Sequence, residues 1–80
     1  MITASQLRAA RGLLEWSQSQ LAEAAGLSLP TIKRMESDKG PGKSSAENVD
    51  AIQRALETAG VIFIPSNGEG PGVRLRKEGP

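Results

Sequence analysis

Ser17-Gln18-Ser19-Gln20-Leu21-Ala22-Glu23-Ala24-Ala25-Gly26-Leu27-Ser28-Leu29-Pro30-Thr31-Ile32-Lys33-Arg34-Met35-Glu36 decides the fold of this chain. It spells two short helices and the tight turn between them. Ser17 is a good N-cap, because its hydroxyl accepts from an early helical N–H. Gln20 follows three residues on and completes a capping box, and Trp16 and Leu21 stand where a hydrophobic staple needs them. Gly26 takes the left-handed conformation that ends a helix at low cost. The pattern then repeats: Leu27 precedes the cap Ser28, Pro30 sits in the first turn where its missing N–H loses nothing, and Ile32 takes the staple position.

The same plan opens the chain, with Ile2, the cap Thr3, Gln6 and Leu7. Leu7, Ala10 and Leu14 then give a first helix, about residues 4–14, one buried stripe. The second helix spans about 18–25, with Leu21, Ala22 and Ala25 inward. The third spans about 29–36. SDKGPGKS at 37–44 reads as a loop. A fourth helix covers about 45–59, with Val49, Ile52, Leu56 and Ala59 in register. Its cap is Ser44 or Ser45, and Glu47 favours Ser44. Gly60 stops it. Two helices joined through a Gly turn, the second starting two residues later, are the grammar of a helix-turn-helix.

The period changes after Gly60. Val61-Ile62-Phe63-Ile64 is β-branched and aromatic and is closed by Pro65. SNGEGPG reads as a turn, and Val73-Arg74-Leu75-Arg76 alternates apolar and basic residues. The expectation is a hairpin with strands at about 61–65 and 72–76. A lone hairpin is marginal in water, so it must pack on the helices or pair with another chain. The fold class is thus mainly α: a compact four-helix domain over residues 1–60, with a β-hairpin and tail over 61–80 packed on it.

Eighty residues make one small domain with a thin core. The chain has neither cysteine nor histidine. Disulfides and thiolate metal sites are excluded, and the commonest general base and metal ligand are missing. No glycine-rich phosphate loop follows a strand and no carboxylate pair suggests a cleft, so the expectation is no enzyme, no metal and no cofactor. No apolar run can span a membrane and no signal segment opens the chain, which reads as cytoplasmic. The net charge of +1 says little by itself. Its placement says more: Lys33, Arg34, Lys39 and Lys43 cluster on and after the third helix, whereas Glu47, Asp50 and Glu57 load the fourth against Arg54 alone.

Ser17-Gln18, Leu21-Ala22, Gly26-Leu27-Ser28, Thr31-Ile32 and Met35-Glu36 resemble the helix-turn-helix of the phage repressor and Cro family, also called the xenobiotic-response-element type. The resemblance covers residues 3–59. It implies a sequence-specific regulator binding double-stranded DNA, usually as a homodimer. It also implies a pair between Arg11 on the first helix and Glu36 at the end of the third. An unpaired carboxylate beside the Ile32–Met35 core edge would be costly, which favours that pair. Family domains usually add a fifth helix that often serves the dimer. Here the predicted hairpin takes its place.

Helical geometry selects the DNA-facing residues. Each residue turns about 100°. With Ile32 inward, Pro30 and Arg34 point outward, with Lys33 and Thr31 on the flanks and Leu29 at the exposed start. Arg34 is the best base reader, because its fork can grip guanine O6 and N7. Leu29 and Pro30 offer only apolar contact, and Lys33 can reach a base or a phosphate. Gln18, at a helix N-terminus, resembles the family's phosphate contact and sits where free N–H groups favour an anion. Ser28 and Thr31 can do the same, and Ser37, Lys39 and Lys43 can hold the backbone beyond the reading helix. Ser28 is a cap first, and Lys39 and Lys43 have the alternative of solvating a loop. Trp16 reads as core. The favoured function is a repressor occupying an operator as a dimer. The competing one is an antitoxin or adaptor whose hairpin adds a strand to a protein partner such as a toxin.

Overall fold

The computed structural model describes residues 2–38 and 40–77, with Lys43 described in its backbone alone. A serine or threonine cap sets each of its four α-helices in place. Thr3 caps α1 (Ala4–Leu14) and Ser17 caps α2 (Gln18–Ala25), each in a complete capping box. In both, the hydroxyl accepts from the third helical N–H at 3.1 Å, and the Gln side chain accepts from the cap's own N–H at 2.8 and 2.7 Å. Ser28 caps α3 (Leu29–Met35), with Pro30 in its first turn.

Two helix exits depend on left-handed backbone. Gly26, at φ 70°, ends α2 and sends the chain straight into α3. α1 instead ends on Glu15 at φ 57°, a conformation that costs a non-glycine residue roughly 1 kcal/mol. The sequence carries no glycine there to announce it.

α3 ends at Met35, with Glu36 as its cap residue. A short 3-10 turn (Pro41–Lys43) follows, and then α4 (Ala46–Thr58). Of the two candidate caps of α4 it is Ser45, whose hydroxyl accepts from Asn48 N at 3.1 Å, and not the favoured Ser44. Ser44 N–H is spent on closing the preceding turn through Pro41 O at 2.9 Å. The capping-box spacing to Glu47 loses to that turn, which fixes Ser44 one residue too early.

Beyond Gly60 the chain forms β1 (Val61–Ile64) and β2 (Gly72–Leu75), paired antiparallel with Val61 opposite Leu75 and Ile64 opposite Gly72. Each strand stops one residue short of its expected bound. At Pro65 the reason is plain, since proline has no N–H for the ladder. The hairpin lies on α1 and α4: β2 packs against α1 and β1 against α4.

One core unites all of this. Leu7, Ala10, Leu21, Ile32, Met35, Ile52 and Leu56 are fully buried, and Val61 of the hairpin joins them. Trp16, Leu14, Leu27, Phe63 and Val73 pack on its margin. No helix among the described residues is long and apolar enough to cross a membrane.

Candidate nucleic-acid interface

α3 has two distinct sides. Ile32 and Met35 are fully buried, whereas Pro30, Lys33 and Arg34 are exposed. Leu29 and Thr31 are half-buried at its N-terminal end. The four expected base readers, Leu29, Pro30, Lys33 and Arg34, thus share the first turn and the outward side of one helix. Arg34 is exposed, and its guanidinium donates to Thr31 Oγ1 at 3.5 Å.

Glu36 fixes where that side points. Its side chain is 3% exposed, and Arg11 Nε and Nη2 donate to its two carboxylate oxygens at 2.9 and 3.0 Å. The two-point fork is the strong geometry for such a pair. Gln18 Nε2, at the start of α2, donates to the same Oε1 at 3.2 Å. Arg8 Nη1 donates to the Glu36 carbonyl, which caps the end of α3 from α1. Arg11 Nη1 also donates to Trp16 O at 3.1 Å, tying in the α1–α2 connection. The cap residue at the end of α3 is therefore held by donors from both preceding helices. Among the described residues, no buried side-chain polar atom lacks a partner.

The expected phosphate contacts are placed less uniformly. Gln18 is half-buried, with one amide hydrogen committed to Glu36. A primary amide has two hydrogens, so the other remains able to serve an anion. Ser28 is occupied as a cap: its Oγ accepts from Thr31 N at 3.3 Å and lies 2.8 Å from Thr31 Oγ1. Ser37 Oγ donates to Arg34 O at 2.6 Å and so helps to close the end of α3. Lys39 and the side chain of Lys43 lie outside the described residues.

Two polar residues matter more than sequence reasoning assigned them. Arg8 stands three residues before Arg11, on the same helical side. That spacing was the available signal for a second donor to α3. Gln6 was visible only as a capping-box residue. It is buried, and while its oxygen completes the α1 cap, its Nε2 donates to Gly72 O at 2.9 Å and Ile64 O at 3.3 Å. One side chain starts α1 and anchors the hairpin.

A family model described as Helix-turn-helix matches residues 7–61, from the middle of α1 to the first residue of β1. The chain belongs to the Cro/C1-type helix-turn-helix family. No curated protein matches it. The protein is a DNA-binding transcription regulator in general class, and its family is a regulatory domain that is typically non-enzymatic. The hairpin lies almost wholly beyond the matched segment, so its role must be argued from this chain alone.

Proposed function

We propose that this protein is a repressor that occupies an operator as a homodimer, with α3 of each copy in the major groove. It works in the cytoplasm, beside the DNA it regulates. Arg34 reads guanine through N7 and O6, Lys33 supports it, and Leu29 and Pro30 touch apolar base edges. Gln18, Ser28, Thr31, Ser37, Lys39 and Lys43 serve the flanking phosphates, which position the domain but do not select sequence. The observation that carries the reading is the clamp on Glu36. Three donors on its carboxylate hold the end of α3 while Lys33 and Arg34 stand exposed beside it. Such rigidity is what base discrimination needs, because a loosely held helix cannot place a two-point contact.

A binding-site selection from random duplex tests it. The wild type is expected to enrich a motif containing guanine, and its affinity to fall steeply with salt. Arg34→Ala is expected to fold normally and lose that guanine preference, a cost of about 1–3 kcal/mol. An unchanged motif in the variant would refute the assignment of Arg34. No binding to any duplex would refute the repressor reading and favour an adaptor for a protein partner such as a toxin.

A further inference from the structure

α4 fills the core with one side and leaves the adjoining one hollow. Val49, Ile52 and Leu56 are buried. Ala51 and Ala55, four residues apart and so stacked on one side of the helix, stand next to them. Opposite, α2 contributes Ala24 and Ala25. Side chains this short leave an open-mouthed cleft of about 610 Å³ between the two helices. Sites for small molecules span roughly 300–1,000 Å³. Trp16 supplies the aromatic surface of the cleft. It is half-buried against the core margin, and its carbonyl accepts from Arg11 Nη1 at 3.1 Å. That wall is thus fixed before any ligand arrives. The charges along the cleft are unbalanced. Glu47, Asp50 and Arg54 line it, two carboxylates against one guanidinium. Arg54 Nε donates to Asp50 Oδ2 at 2.9 Å, with side chains 77% and 59% exposed. A pair so exposed is worth little and opens readily. Glu47 forms no ion pair with any described residue. One negative charge is left in excess beside an aromatic face.

We propose that this cleft binds a small organic cation carrying one positive charge and one flat aromatic ring. A single positive charge balances the lining. The carboxylates of Glu47 and Asp50 attract the cationic centre. The Trp16 ring adds a cation–π or stacking contact, for which tryptophan is the best side chain. The alanines supply apolar contact and the room for a ring. Phosphates and carboxylic acids are disfavoured, since each meets the excess carboxylate. A second copy of the chain is disfavoured for the same reason, because it brings its own excess. A helix of another protein fits poorly. An α-helix about 10 Å across fills roughly 420 Å³ per turn, so the cleft holds little more than one turn of it. The site is separate from the exposed side of α3, and its existence does not depend on how α3 reads DNA.

Titration of the full chain with benzyltrimethylammonium at low salt tests this. Binding is followed through the fluorescence of Trp16, the single tryptophan, and through backbone amide NMR shifts. A saturating response with a dissociation constant of roughly 1 mM is expected for so small a probe. The NMR shifts are expected to centre on Ala24, Ala25, Ala51 and Ala55. Phenylacetate, with a ring but the opposite charge, is expected not to saturate. Tetramethylammonium, with the charge but no ring, is expected to bind about fivefold more weakly. Ala55→Leu fills the cleft and is expected to abolish binding. Glu47→Gln/Asp50→Asn alters only exposed side chains, so it keeps the test independent of packing. It is expected to weaken binding about tenfold, with circular dichroism unchanged. No saturation with benzyltrimethylammonium, NMR shifts centred elsewhere, equal binding of phenylacetate, or wild-type affinity in the double variant would overturn the site.

Discussion

Arg11 holds Glu36 in place, and the consequences of removing either side chain are unequal. The Arg11 side chain is 24% exposed and that of Glu36 only 3%. In Arg11→Ala the carboxylate keeps a single weak donor, Gln18 Nε2 at 3.2 Å, in a site that water scarcely reaches. Stranding a buried charge in this way costs about 3–5 kcal/mol. In Glu36→Ala the guanidinium keeps Trp16 O and enough exposure to recover water, so the expected cost is smaller, about 2 kcal/mol. The double variant Arg11→Ala/Glu36→Ala has no stranded charge and is expected to be more stable than Arg11→Ala alone. A domain of this size holds roughly 4–12 kcal/mol in total, so Arg11→Ala should bring it close to its threshold and lower Tm by about 15–30 °C. Urea unfolding followed through Trp16, the single tryptophan, gives all three values in one assay. The reasoning is refuted if Arg11→Ala lies within about 1 kcal/mol of wild type, or if removing Glu36 as well brings no recovery.

Gln18→Ala is expected to weaken binding to all duplexes by a similar factor and to lower stability by about 1 kcal/mol through the lost bond to Glu36. A change in preferred sequence, measured by the same selection, would contradict a purely positioning role. Gln6→Ala should loosen the hairpin before the helices. Amide exchange in β1 and β2 is expected to accelerate while α2 and α3 stay protected, and uniform loss across the domain would show that Gln6 acts only as a cap.

Most of the helical fold was legible because helix caps are local. Thr3 with Gln6, Ser17 with Gln20, and Gly26 ending α2 act over three or four residues, and their residue types say what they do. Ser45 was misplaced by one residue because the competing bond, Ser44 N–H to Pro41 O, belongs to a turn that the loop composition announced without its geometry. Glu15 was missed because nothing in its residue type favours left-handed backbone. Among the candidate DNA readers, the outward set on α3 followed from helical period once Ile32 was taken as inward.

The sequence by itself determined the order and type of the helices, the hairpin, and the charges that stand outward on α3, since each depends on neighbours along the chain. Only the tertiary structure decided how those parts are fastened. Gln18 reaches Glu36 across 18 residues, Arg8 reaches its carbonyl across 28, and Gln6 holds Gly72 across 66. It also decided that β1 lies against α4 and β2 against α1. Such contacts depend on how helices and strands cross in space. Two residues of the same type and local pattern, Gln6 and Gln20, are thus both caps in sequence, and only one of them also anchors a sheet.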